Sequence, residues 1–384
     1  MKYKLSDLFV LQMGKTPSRD NPEYWSQPEF PWISIADLSN ADKYIYDTKE
    51  SLSRQAVEES GIKIIPAQTV LMSFKLSIGK VSITTVPMYS NEAIMAFIDK
   101  GIVKIKPEYL YYLLLHRNWD EGTNKAVMGK TLNKATLSEV VIDIHPIEEQ
   151  ERIVTILDKA SEIIDSYQRQ LRTLDTLIKA RFVEMFGDPV ANPKGWEKRA
   201  LSDEAEIRIG PFGSLLHKED YITGGHALIN PSHIVDSRIS PDIDLTLTDE
   251  KYEELAPYHL IEGDVVMGRR GEMGRCAVVD RPGLLCGTGS LLIRTKGDLS
   301  ADYIQRIISF PSFKRTIEDM AVGQTMPNLN VPIVSAFQII KPPKTVQEQY
   351  YAFVSQVDKS KSVVQKLLDQ AHLLFNSLMQ QYFG

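Results

Sequence analysis

Apolar positions along this chain follow two alternating regimes. Up to residue 146, short apolar runs are broken by Gly, Pro, Asn and Asp. "TVLMSF" and "KVSITTV" predict strands, and "EYLYYLLLHRNW" predicts a helix. From residue 147 the pattern changes to a 3.5-residue repeat. Its a positions are Leu157, Ile164, Leu171, Ile178 and Met185, and its d positions are Ile153, Ala160, Tyr167, Leu174 and Arg181. After residue 186 the broken pattern returns, with "DVVMG" and "CAVVD" as strands and "ADYIQRIISF" as a helix. A second long repeat closes the chain. Its a positions are Val357, Val364, Ala371 and Leu378, and its d positions are Phe353, Ser360, Leu367, Leu374 and Gln381. Neither long helix has an interior Pro or Gly, and each follows a proline.

The second half repeats the first in order. "KLSDLF" (4–9) matches "ALSDEA" (200–205), and "AQTVLMSFKLSIGKVSI" (67–83) matches "EGDVVMGRRGEMGRCAV" (262–278). "VMGKTLNK" (127–134) matches "AVGQTMPN" (321–328), "EEQERI" (148–153) matches "QEQYYA" (347–352), and "EMFGDP" matches the terminal "QQYFG". Short phrases recur by chance, but five in order predict a duplicated architecture. The expected fold class is therefore α+β. Two mixed α/β globules, 1–146 and 187–344, are separated by a long antiparallel two-helix coiled coil made of 147–186 and 345–384, with pseudo-twofold internal symmetry. The expected seam comprises Ile153, Leu157, Ile164, Tyr167, Leu171, Leu174 and Ile178 on one helix. On the other it comprises Phe353, Val357, Val364, Leu367, Leu374 and Leu378. The helices run antiparallel because the first leads out of globule one and the second must return along it.

Length and composition narrow the class. A chain of 384 residues with 43% hydrophobic and 24% charged residues is expected to fold as a soluble protein of two or more domains. No apolar run approaches the roughly 18 residues of a membrane span, and "MKYKLSDLF" lacks a signal-peptide apolar region. Cys276 and Cys286 do not make a disulfide framework, so a cytoplasmic location is expected. Net charge is −6, and in none of the four segments do Lys and Arg outnumber Asp and Glu. Any nucleic-acid surface must then be a local patch.

Candidate chemistry is weak. "DNPEYW" (20–25) imitates a methyltransferase loop but has Glu23 at the third position and no Gly-rich donor loop, so a turn is the plainer reading. "GRRGEMG" (268–274) lies between strands rather than before a helix, which favours a hairpin over a phosphate loop. Asp242, Asp249 and Lys251 imitate the set of a metal-dependent nuclease, yet Thr248 followed by Asp249 and Glu250 also reads as a helix start. The seven histidines show no zinc spacing. A nuclease on those three residues and a coiled-coil scaffold without DNA stand as alternatives.

Two dissimilar globules, each followed by a similar long helix, resemble the specificity subunit of type I restriction-modification systems. "GKTPSR" (14–19), "VLMSFKLSIGKVSI", "VVMGRRGEMGRCAVV", "PIEEQERIVTILD", "FGDP" and "NPKGWEKRALSDEAEIRIGPFGSLL" carry the resemblance along the whole chain. The terminal helix departs from it, opening with "TVQEQYYAFVSQVD" where the family more often has Glu-Gln-x-x-Ile. The resemblance implies that each globule is a target-recognition domain reading half of a bipartite site on double-stranded DNA, with the helices setting the gap. It implies a non-catalytic chain whose partners are two modification subunits and restriction subunits. S-adenosylmethionine, ATP and magnesium belong to those partners, and no membrane is involved. Residues suited to the task are Lys15, Thr16, Arg19, Lys75, Lys80, Lys130, Thr131, Asn133 and Lys134 in globule one. In globule two they are Arg269, Arg270, Arg275, Gln324, Thr325 and Asn328.

Overall fold

The computed structural model describes residues 1–26, 28–75, 77–119, 124–126, 129–212, 215–271, 273–321 and 328–384, with the backbone alone at 124–126 and 129–131. The chain divides into two compact units, Met1–Leu171 with Val363–Gly384, and Arg172–Ser362. The two long helices, Ile147–Phe186 and Lys344–Phe383, are both shared between the units.

Within the first unit, a five-stranded sheet runs in the order Phe9–Met13, Ile94–Asp99, Val70–Ser73, Val81–Thr84, Tyr44–Ile45. Val70–Ser73 and Val81–Thr84 are buried throughout, which is why both read as unbroken apolar and small residues. Helix Pro107–His116 starts on its proline and buries Tyr109, Leu110, Leu113 and Leu114 in the same core as Val70, Met72 and Phe97. A smaller sheet pairs Phe30–Ile33 in parallel with Tyr89–Ser90, Trp32 opposite Tyr89.

The second unit repeats this plan. Its four-stranded sheet has the order Ala205–Ile209, Ser290–Thr295, Val265–Gly268, Cys276–Val278. A further, five-stranded sheet pairs His226–Ile229 in parallel with Leu284–Cys286, Leu228 opposite Leu285. Tyr109 of the first unit donates to the Asp143 carbonyl at 3.1 Å, and Tyr303 of the second donates to the Ile340 carbonyl at 3.1 Å. Cys276 and Cys286 are free and buried. Burial pushes the Cys276 thiol up to about 11, so it stays protonated.

The long helices antiparallel each other inside the second unit. Lys361 Nζ meets Asp175 Oδ1 at 2.5 Å, and Tyr350 packs against Phe182 and Phe186 with ring centres 5.7 and 5.2 Å apart. Position along one helix therefore falls as it rises along the other. In the first unit, Ile153, Val154 and Leu157 share a core with Met379, Phe375, Leu378 and Tyr382. Asp158 ties the helix to its globule, bonded to Lys43 Nζ and the Tyr112 hydroxyl at 2.5 Å each.

Two details of the expected repeat need correction. "EEQERI" against "QEQYYA" sets Glu148 opposite Gln347, whereas the structure sets Gln150 there. Gln150 is 0% exposed and Gln347 is 2% exposed. The Gln150 amide donates to the His145 and Lys104 carbonyls at 2.9 and 3.0 Å, and its oxygen accepts from the Lys106 N–H at 3.0 Å. Gln347 donates to the Pro342 carbonyl at 2.9 Å. Each amide reaches back to the carbonyl five residues earlier and closes the turn into its helix.

The seam of the second helix shifts accordingly. Ile153, Leu157, Ile164 and Ile178 are buried on the first helix, with Tyr167, Leu171 and Leu174 half-buried. On the second, Val357 is buried and Val364 and Leu378 are half-buried, as the 3.5-residue repeat predicts. Leu367 and Leu374 are replaced by their neighbours Leu368 and Phe375, while Phe353 packs on the core together with Val354. Phe353 is half-buried, while Leu367 and Leu374 are 38% and 55% exposed. Adjacent apolar residues at 353–354 and 367–368 support both stripes, and Tyr350 decides between them by burying beside Ile178. Arg181, an odd residue for a d position, lies 5.6 Å from the Phe353 ring centre and shields it.

Candidate nucleic-acid interface

Each unit carries a hairpin of buried strands whose loop holds cationic residues. In the first, the Ser73 N–H donates to the Lys80 carbonyl at 2.9 Å, and in the second the Gly268 N–H donates to the Arg275 carbonyl at 2.8 Å. "GRRGEMG" thus joins two antiparallel strands, with Met267 opposite Cys276, and the next element among the described residues is strand Cys276–Val278. A later segment lies along each loop. The Leu132 N–H donates to the Phe74 carbonyl at 3.1 Å, and the Leu329 N–H donates to the Arg269 carbonyl at 2.9 Å. Short helices follow, Lys134–Ser138 and Val331–Ser335, capped by Asn133 and Asn330. The true correspondence is therefore Leu132-Asn133 with Leu329-Asn330. The match of "VMGKTLNK" to "AVGQTMPN" placed Asn133 against Pro327, because it aligned the glycines and not the caps.

A second loop begins at the same point in both units. The Gly14 N–H donates to the Ile94 carbonyl and the Gly210 N–H to the Ser290 carbonyl, both at 3.1 Å. A Cβ on Gly14 would sit 2.2 Å from the Ser90 carbonyl oxygen, and one on Gly210 would sit 1.9 Å from that of Gly287. Only glycine allows these backbone approaches.

The expected DNA-contacting residues fall into three groups. Lys80, Lys134 and Arg270 are exposed, and Lys75 is half-buried beside the Phe74 ring. Among the described residues, no ion pair engages these four. Arg275 donates to the Pro231 carbonyl at 3.3 Å. Arg269 is half-buried with a partnerless Nε, and burial, then Arg270, pull its pKa down. Asn328 pairs through its backbone with Arg270, and its side-chain oxygen is buried without a partner. Lys75 and Lys80 thus lie in the first hairpin connection and Arg269, Arg270 and Arg275 in the second, while Lys134 opens the helix after the segment that lies along the first.

A second group is tied up within the protein. The Asn133 side chain accepts from the Thr136 N–H at 2.8 Å, so it caps a helix instead of facing a base. Lys15 Nζ donates to the Ser60 carbonyl at 2.5 Å, and Thr16 bonds Glu92 and Asn91. Arg19 holds Glu50 through both terminal nitrogens, at 2.5 and 3.0 Å. The signal for Asn133 was present in the sequence as a cap before "KATL"; the partners of Lys15, Thr16 and Arg19 were not, since they lie far away in the chain. The third group is Lys130 and Thr131, whose backbone lies in a two-stranded hairpin, and Gln324 and Thr325, which lie outside the described residues.

The nuclease set is not assembled. The Asp242 carboxylate accepts from the Asp244 N–H at 3.0 Å, Asp249 bonds His226 at 2.9 Å, and Lys251 pairs with Glu254 at 3.0 Å. Thr248 caps helix Asp249–Glu254 by accepting from the Lys251 N–H, which explains the acids that follow it. Among the described residues, no group of His, Cys, Asp or Glu is placed to hold a metal, and no helix is long and apolar enough to cross a membrane.

The sequence model of the type I restriction modification DNA specificity domain matches residues 1–175 and again 193–372. The chain belongs to this family. Among curated relatives, the type I restriction enzyme MjaIX specificity subunit of Methanocaldococcus jannaschii is 26% identical over 378 residues, spanning 91% of this chain and 85% of its own. The HindI specificity subunit of Haemophilus influenzae is 31% identical over 164 residues, 40% of this chain and 35% of its own. The fold is that of the type I system S subunit from M. genitalium (TM-score 0.54, 13% identity, covering 100% of this chain and 96% of that one). It is also that of a chain solved in work on complex assembly and conformational transition of the type I R-M system (TM-score 0.62, 15% identity, covering 100% and 97%). Each of the two matches contains one of the hairpins.

Proposed function

We propose that this chain is the DNA sequence-reading subunit of a type I restriction-modification complex. Each unit reads half of a bipartite site on double-stranded DNA, and the helical pair sets the unread gap. The observation that carries this reading is the cationic hairpin connection built at the same point of both units of a specificity-domain family member. Lys75, Lys80 and Lys134 in the first unit, and Arg270 and Arg275 in the second, suit phosphate and guanine contacts. The chain performs no chemistry. Two modification subunits methylate adenine with S-adenosylmethionine, and restriction subunits supply ATP- and magnesium-dependent translocation and cleavage in the cytoplasm. A net charge of −6 fits a subunit that takes much of its grip on DNA from these partners.

Methylome sequencing of the host with and without this gene tests the reading. A bipartite methylated motif is expected, and it should vanish when the gene is deleted. A motif that persists unchanged refutes the assignment. Adding one heptad to each long helix at matched positions should lengthen the gap and leave both half-sites unchanged. Tight, specific binding by the isolated chain at physiological salt would exclude the dependence on partners.

A further inference from the structure

We infer that Arg19 is a positioning residue for the first half-site and makes no DNA contact itself. This rests on the proposed reading of DNA by the first unit. The Arg19 guanidinium is covered on one face by the Trp25 indole, 3.7 Å from the ring centre, and the Trp32 ring centre is also 5.1 Å from it. Its edge is occupied by the Glu50 carboxylate in a two-point pair. A guanidinium so neutralised offers a phosphate no net charge, and Glu50 itself would repel the phosphate. Half of the Arg19 side-chain surface remains open, so the Glu50 pair rather than burial is what withholds its charge from a phosphate.

The surrounding bonds show what Arg19 holds in place. Trp25 Nε1 donates to the Ser18 carbonyl and Trp32 Nε1 to the Lys15 carbonyl, both at 3.1 Å. The Lys15 N–H donates to the Ser90 carbonyl at 2.8 Å, and the Ser53 N–H donates to the Tyr24 carbonyl at 3.0 Å. Lys15 Nζ and the Tyr24 hydroxyl then reach Ser60 and Glu59 on helix Arg54–Ser60, at 2.5 Å each. Residues 15–25 thereby form a loop tied down on both sides of Arg19, and Ser18, Arg19, Asp20 and Glu23 are exposed along it. Among the described residues the second unit shows no such arrangement: Leu228 takes the place of Trp32 in the matching parallel strand pair. The effect of Arg19 is therefore confined to one half-site.

The test uses the full chain assembled with its modification subunits, and a duplex carrying the motif found by methylome sequencing. Companion duplexes each change one base in one half. Arg19→Gln and Glu50→Gln should both weaken binding to the motif duplex by about two- to fivefold, the order expected when a solvent-screened bidentate pair is lost. The loss should fall on discrimination in one half only, and the slope of log K against log salt should not change. Arg19→Lys should fail to rescue, since an ammonium can neither fork to Glu50 nor stack as a plane. The inference is overturned if Arg19→Gln reduces the salt slope by about 0.9 while Glu50→Gln leaves or strengthens binding, because Arg19 would then touch a phosphate. It is equally overturned if both variants weaken matched and mismatched duplexes alike as the thermal midpoint falls. If the wild-type complex shows no preference for any motif, the reading of function fails before the variants are compared.

Discussion

Replacing the buried glutamines tests whether they anchor the two long helices, and the two replacements should differ in size. Gln150→Met keeps side-chain length but removes three hydrogen bonds, to the His145 and Lys104 carbonyls and from the Lys106 N–H. At about 1 kcal/mol net for each bond, the loss is roughly 3 kcal/mol. Gln347→Met removes one bond, to the Pro342 carbonyl, for roughly 1 kcal/mol. For units of this size each kcal/mol moves the midpoint by about 2–4 °C, which gives roughly 6–12 °C for Gln150→Met and roughly 2–4 °C for Gln347→Met. Two units need not melt together, so calorimetry should be paired with hydrogen exchange to assign each transition. The Gln150 change should appear in the unit containing Met1–Leu171, and the Gln347 change in the other. Equal shifts, or a larger one for Gln347→Met, would show that the amides do not act through these bonds.

The helix seam has its own test. Leu368→Ala should cost roughly 2–3 kcal/mol in urea unfolding, and Leu374→Ala no more than about 0.5, because only Leu368 is buried; the reverse order would restore the stripe through Leu374. Gly14→Ala and Gly210→Ala should each destabilise by roughly 1–3 kcal/mol, since the new methyl would overlap a carbonyl oxygen at 2.2 and 1.9 Å; a neutral effect at both would mean that the loops relax freely. Acidification should loosen the Arg19 loop. The Arg19 hydrogen bonds hold the Glu50 carboxyl below its ordinary value of 4.5, so its contribution is present above that pH and is lost as pH falls through the lowered value. Amide protection at residues 15–25 should drop below about pH 4.5 in the native chain and lose that dependence in Glu50→Gln; identical pH profiles would remove Glu50 from the account.

How far the sequence could be read depended on how local each decision was. Strands such as Val70–Ser73 are legible because burial on both faces demands an unbroken apolar run. The long helices are legible because their repeat extends over forty residues without a breaker. The register of the second helix was not, because Leu367 and Leu368 satisfy two stripes equally well. The choice belongs to Tyr350 meeting Ile178, a contact 172 residues apart. The same distinction separates the site residues. Lys80 and Lys134 are exposed cations, as their types suggest, because nothing distant claims them among the described residues. Arg19 has the same credentials as a DNA contact, yet Glu50 claims it from 31 residues away and Thr16 is claimed by Glu92 from 76. Residue type states what a side chain is able to hold. In a globule of short elements the partner arrives from elsewhere in the chain, so a motif such as "GKTPSR" marks where a loop is built more reliably than which of its residues meet DNA.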